Sequence, residues 1–183
     1  MLEVELKFRA PDAARLIAQM HELGAGDLGT VEQTDEYFNH PQRDFAQTDE
    51  AVRVRSTNGR GAITYKGPLI DRETKTRREI EIELLGRDGE ARMGELLRAI
   101  GFRPVLRVEK TRRQWSLRRQ EREFVVALDQ VQGLGEFVEL ETMADEAELP
   151  EARDALQRLA RELNLENSER RGYLTLLLAQ TGN

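Results

Sequence analysis

The opening stretch, MLEVELKFRA, sorts its side chains by strict alternation. Glu3, Glu5 and Lys7 fall on one side, and Leu2, Val4, Leu6 and Phe8 on the other. In a strand, successive side chains point to opposite faces, so this segment has one apolar and one ionic face. Two acids and a base in a row is a strong constraint, because an ionic face must meet either water or compensating charge.

The same pattern recurs along the chain. Extended segments are expected at VEQTDEYFNHPQRDF, running into a turn at His40-Pro41, then at AVRVRST and AITYKG, joined through Asn58-Gly59 as a hairpin with a slightly long loop. TRREIEIELLG, FRPVLRVEKTRRQWSLR, EFVVALDQV and EFVELETM follow, with turns at Gln120-Glu121-Arg122 and Gly133-Leu134-Gly135. Helices are expected at PDAARLIAQMHELGA, with Pro11 in its first turn and Leu16, Ile17, Met20 and Leu23 on one face, and at DGEARMGELLRAIG. From Ala147 to Ala179 the chain reads as helical with a break near Asn167. No repeat, low-complexity tract or linker interrupts it, so residues 1–183 are expected to form a single α+β domain.

About eight strands joined mostly by short connections point to an antiparallel sheet, which at that number can close into a barrel. Charged faces occur on nearly every strand: Arg53 and Arg55; Thr64 and Lys66; Arg77, Glu79 and Glu81; Lys110 and Arg112; Glu139 and Glu141, with Asp129 among apolar neighbours. Two architectures accommodate this. One is a sheet with a single solvated face. The other is a barrel with its charges inward, which is costly unless the interior holds water, counter-charges and a ligand. A lumen of both signs suits a metal–polyphosphate complex, with bases on the phosphate oxygens and carboxylates on a hard divalent cation.

Composition narrows the classes. Net charge is −6, which argues against a nonspecific nucleic-acid binder, while 28 Lys and Arg suffice for a local anion site. The absence of cysteine excludes disulfides, thiolate zinc sites and a cysteine nucleophile, and it fits a reducing cytoplasm. No signal peptide is evident, and no stretch approaches the ~18 apolar residues of a membrane span. The chain is expected to be cytoplasmic, with no nucleic-acid or membrane partner.

These motifs resemble the CYTH superfamily, the triphosphate tunnel metalloenzymes, which include class IV adenylate cyclases, thiamine triphosphatases and inorganic triphosphatases. EVELK is similar to their opening Glu-x-Glu-x-Lys signature, and RVR, TYK, RREIE, EKTR, LDQV and EFVELE follow in order. YFNHPQRDF, YKGP and GLGEFVELE look most like the class IV adenylate cyclase branch. The resemblance implies an eight-stranded antiparallel β-barrel with flanking helices, its tunnel holding a triphosphate such as ATP with Mg²⁺ or Mn²⁺. It implies Glu3, Glu5, Asp129, Glu139 and Glu141 as metal carboxylates, and Lys7, Arg53, Arg55, Lys66, Lys110 and Arg112 as phosphate-binding bases. Lys66, Arg77, Glu79 and Glu81 would act on the reacting groups. Arg171 would sit on a C-terminal helix closing one mouth, where Gly172 replaces the serine more often found in the family.

Phosphoryl chemistry needs positioning and charge neutralisation rather than a covalent nucleophile, so the lack of one is no obstacle. GLG and NGRG read as turns rather than phosphate loops. His21 and His40 are isolated, and Tyr37, Phe38 and Phe45 are expected mainly to pack. Three functions stay open: a cyclase making cyclic AMP and pyrophosphate, a triphosphatase in which Glu79 and Glu81 orient water, and a binding module without turnover.

Overall fold

The computed structural model describes residues 2–10, 12–70 and 74–182, the side chain of residue 181 excepted; Pro11 lies outside them. Eight antiparallel strands run β1 (Leu2–Arg9), β2 (Gly26–Asn39), β3 (Ala51–Thr57), β4 (Arg60–Leu69), β5 (Arg77–Leu84), β6 (Arg103–Arg119), β7 (Arg122–Val131) and β8 (Gly135–Ala144). They close a barrel in the order β1-β5-β4-β3-β2-β6-β7-β8. Closure rules out the open sheet with one wet face.

The seam is thin. β1 matches β8 along its whole length but meets β5 at a single register pair, Glu3 with Arg77. Just beyond it, the Lys75 N–H donates to the Glu5 carbonyl at 3.0 Å. The β3–β4 hairpin is tighter than the spacing suggested. Thr57 pairs with Arg60, and Asn58 and Gly59 occupy φ of 48° and 78°, the left-handed geometry of a two-residue turn.

Apolar outer faces bury themselves under helices. α1 (Ala13–Glu22) starts where Asp12 accepts the Arg15 N–H at 3.0 Å, and it buries Leu16 and Met20 one turn apart. The short α2 (Phe45–Thr48), not anticipated, is capped by Asp44, and α3 (Gly89–Ala99) inserts Leu97 beside Phe38, Phe45, Val52 and Val54. α4 (Leu149–Glu162) buries Ala152, Leu156, Leu159 and Ala160 against Val4, Leu6, Val138 and Leu140 of β1 and β8. The main core therefore lies outside the barrel, between its wall and α1 and α4, which frees the interior for charge. Phe38 and Phe45 pack as expected.

The C-terminal break is longer than anticipated. α4 ends at Glu162 and α5 (Tyr173–Thr181) begins after Gly172, with a non-helical run between them. Arg171 therefore precedes the last helix instead of sitting on it. That run docks on the barrel: the Glu169 N–H donates to the Lys7 carbonyl at 2.6 Å, and the Lys7 ammonium donates to the Arg171 carbonyl. Among the described residues no helix is long and apolar enough to cross a membrane.

Candidate active site

Register carries the ionic faces inward together. Glu5 stands opposite Glu141, Lys7 opposite Glu139, Arg112 opposite Asp129, Lys66 opposite Glu79 and Thr64 opposite Glu81. The lumen is a cavity of about 790 Å³. Every site residue expected from the sequence lines it except Asp129, which is fully buried and bonded to two bases that do.

Three of the acids converge. Glu5, Glu139 and Glu141 each bring a carboxylate oxygen within 4.8 Å of the others. Burial pushes Glu141 upward, reinforced by the Glu139 and Glu5 charges and opposed by Arg112. Glu3 is driven up to about 8 by burial and by the adjacent Glu141. Glu139 departs the other way: burial would raise it, but Arg112 and Lys110 hold it well below the usual carboxylate range. Asp129 stands apart from the three. It receives Arg112 through a two-bond fork at 2.7 Å each, Lys110 at 2.7 Å and the Tyr173 hydroxyl at 2.9 Å.

The bases are interleaved with the acids, each beside a carboxylate of the neighbouring strand at Lys7–Glu139, Lys66–Glu79 and Arg112–Asp129. Arg112 also donates to Glu139 and, at 3.2 Å, to Glu141. Lys66 donates to Glu79 at 2.5 Å. Burial pulls Lys7 down to about 7, with Lys75 adding to the effect, and pulls Lys110 down to about 8, with Arg112 adding. Lys7 lies 4.2 Å from the Tyr173 ring centroid.

Two residues face away from this centre. Arg77 donates to the Gly67 carbonyl at 3.1 Å and approaches the Asp49 carboxylate at 3.6 Å, tying the β4–β5 junction to the loop after α2. Arg171 is held by Glu169 at 2.6 Å, and its side chain is 55% exposed at the mouth.

Sequence reasoning missed Asp35, Lys75 and Tyr173. Asp35 accepts two bonds from Arg55 and one from Arg53 at 3.3 Å. Its signal was the alternation Gln33-Asp35-Tyr37, masked by Glu32 and Glu36 on the other face. Lys75 shares the parity of Arg77 and Glu79, and its ammonium lies 2.7 Å from Glu5. Tyr173 reaches Asp129 across 44 residues of chain, which no local pattern announces.

A CYTH domain model matches residues 1–173. The chain belongs to the CYTH family. This CYTH protein is 34% identical over 179 residues to a candidate adenylate cyclase of Methanocaldococcus jannaschii, covering 96% of this chain and 98% of that one. It is 31% identical over 180 residues to adenylate cyclase CyaB of Aeromonas hydrophila, covering 95% and 87%. The PH1819 protein of Pyrococcus horikoshii superposes with a TM-score of 0.86 at 41% identity, over 97% of this chain and 99% of that one.

The CYTH barrel's donor set fits a divalent ion. Carboxylate oxygens are the ligands that Mg²⁺ and Mn²⁺ prefer, and the buried Glu5 and Glu139 lie close enough to the half-buried Glu141 to share one ion. Burial is the main cause that raises Glu3 and Glu141, and the neighbouring carboxylates add to it; a divalent cation would favour their charged forms.

Proposed function

We propose that the protein is a divalent-metal-dependent enzyme that binds an organic triphosphate in the barrel, as a class IV adenylate cyclase converting ATP to cyclic AMP and pyrophosphate. The observation carrying this reading is that three converging carboxylates, two buried and one half-buried, share one barrel lumen with several lysines and arginines. Pure anion binding needs only the bases; the acids add a place for metal. The names of two relatives support the cyclase side.

In this reading Arg53, Arg55, Lys66, Lys110 and Arg112 grip phosphate oxygens, arginines through paired N–H groups and lysines as mobile point charges. An entering anion would favour the charged forms of Lys7 and Lys110, which burial disfavours. Glu5, Glu139 and Glu141, with Glu3 beside them, would hold Mg²⁺ or Mn²⁺, which when bound would supply Lewis-acid stabilisation of charge developing on the phosphates. The ribose 3′-hydroxyl attacks the α-phosphorus and gives its proton to a lumen carboxylate or water, the bond from that phosphorus to the α,β-bridging oxygen breaks, and pyrophosphate leaves. The organic portion would lie against other lining residues of the same cavity, among them Tyr37, Asn39, Val105 and Leu178.

A triphosphatase is the second reading. Glu79 and Glu81 lie in the lumen outside the carboxylate triad, and the Glu81 side chain is 52% exposed; in this reading the pair orients an attacking water. Incubation with ATP and Mg²⁺ or Mn²⁺, followed by chromatography, separates the readings. Cyclic AMP with pyrophosphate supports the cyclase, ADP with phosphate the triphosphatase, and unchanged ATP a binding module.

A further inference from the structure

Lys75 occupies a peculiar place. It lies between β4 and β5, where the barrel seam is thinnest, and is bolted to one residue twice. Its backbone N–H donates to the Glu5 carbonyl at 3.0 Å, and its ammonium donates to the Glu5 carboxylate at 2.7 Å. The flanking Thr74 and Thr76 are buried, with their hydroxyls 2.7 Å apart, and the Thr76 carbonyl accepts the Ile70 N–H at 2.8 Å. That backbone arrangement aims Lys75 into the lumen, where its side chain is only 13% exposed.

Glu5 is one corner of the carboxylate triad, and the other two corners are touched by Arg112. The two cations differ in how they are held. Arg112 is anchored from behind by the Asp129 fork. Among the described residues, the charged oxygen the Lys75 ammonium meets within salt-bridge distance is that of Glu5. A lysine is a compact charge on a flexible stem and can swing several ångströms.

We propose that Lys75 is a tethered counter-cation of the triad: it neutralises Glu5 while the lumen is free of metal and is displaced when a divalent ion binds. Lys75 is then a positioning residue that acts through Glu5. This rests on the reading that the triad holds a divalent ion. The displaced ammonium swings toward the phosphates of a bound triphosphate, so metal and triphosphate each favour the other's binding, with reciprocal coupling. It also keeps an unpaired buried carboxylate from weakening the seam before metal arrives.

Calorimetric titration with MnCl₂, without any phosphate compound, tests this on wild type, Lys75→Met, Lys75→Arg and Lys66→Met. Lys75→Met should bind Mn²⁺ at least about tenfold more tightly than wild type, because a competing charge beside a ligand is gone. Lys75→Arg should resemble wild type. Lys66→Met removes a base whose ion-pair partner is Glu79 and which Glu3 and Glu5 influence less strongly, so it should raise affinity clearly less than Lys75→Met does. Melting adds a readout that a merely structural role would not move. Lys75→Met should melt below wild type in chelator, and Mn²⁺ should close the gap.

Equal or weaker Mn²⁺ binding by Lys75→Met, or a melting deficit untouched by Mn²⁺, overturns the inference. Wild type that binds no Mn²⁺, with or without tripolyphosphate, overturns the metal reading and the role of Lys75 with it. Should Lys75→Met not fold, reductive methylation of wild type read by mass spectrometry decides. Lys75 should react faster in Mg²⁺ than in chelator, and an unchanged rate counts against displacement.

Discussion

Asp35 receives Arg55 in a two-bond fork, Nε to Oδ1 at 2.6 Å and Nη2 to Oδ2 at 2.7 Å, while Arg53 closes on the same carboxylate at 3.3 Å. The acid is 2% exposed, so two bases proposed for the phosphates are aimed by a buried carboxylate the substrate need never touch. Removing it strands both guanidiniums. Asp35→Ala should cost about 3–5 kcal/mol of stability, as loss of one partner of a buried pair does. Tripolyphosphate should restore part of that loss by replacing the missing anion, and thermal melts with and without it measure both effects.

The same acid predicts an acid limb. Burial would raise Asp35, but Arg53 and Arg55 outweigh it and hold the carboxyl below the usual range. A carboxyl depressed in the folded state contributes stability that is complete above its unfolded value, 3.8, and is lost as pH falls below it toward the folded value. Urea unfolding between pH 6 and about pH 3 should show a steeper loss in wild type than in Asp35→Asn. Parallel curves would remove Asp35 from the explanation.

Metal carboxylates and phosphate bases should separate kinetically. Glu139→Gln and Glu141→Gln keep shape but remove the charge a metal needs, so they should abolish turnover while weakening phosphate binding far less. Arg53→Ala or Arg55→Ala should mainly raise KM, as loss of ground-state binding does. Steady-state kinetics on purified variants is the check, and equal modest KM effects with unchanged kcat would reverse these roles.

Ligand ranking by thermal shift probes the lumen as a whole. A ligand that binds only the folded state at a hundredfold excess over Kd adds about 2.7 kcal/mol. For a chain of this size that raises Tm by several degrees, at roughly 2–4 °C per kcal/mol. Tripolyphosphate should reproduce most of the ATP shift and AMP little of it, because the contacts are to phosphates.

The C-terminal run should prove part of the site's scaffold. Tyr173 is 7% exposed, its ring meets Phe137 edge-on at 5.1 Å, and its hydroxyl is one of the partners of Asp129. Tyr173→Phe removes a hydrogen bond to a charged group, worth about 1.5–3 kcal/mol. The expected outcome is a lowered Tm and weaker tripolyphosphate affinity, since Asp129 also sets Lys110 and Arg112. An affinity identical to wild type would confine Tyr173 to packing.

The strands, their ionic faces and the acids and bases they carry were legible from alternation alone, because a period of two needs only local sequence. Lys7, Glu139 and Arg112 each announce a charged face in this way. What local sequence left open was the direction of those faces, since an outward ionic face and an inward one share the same period. Closure decided it: with β1 bonded to both β8 and β5, and with α1 and α4 covering the apolar outer wall, the charges have only the lumen left. Tertiary structure alone also chose the partners. Asp35 meets Arg55 because β2 pairs with β3, Asp129 meets Tyr173 because the C-terminal run folds back on the barrel, and Lys75 meets Glu5 across the seam. An ion pair depends on distance in space, and residues 44 or 70 apart in the chain come within reach only after the barrel closes.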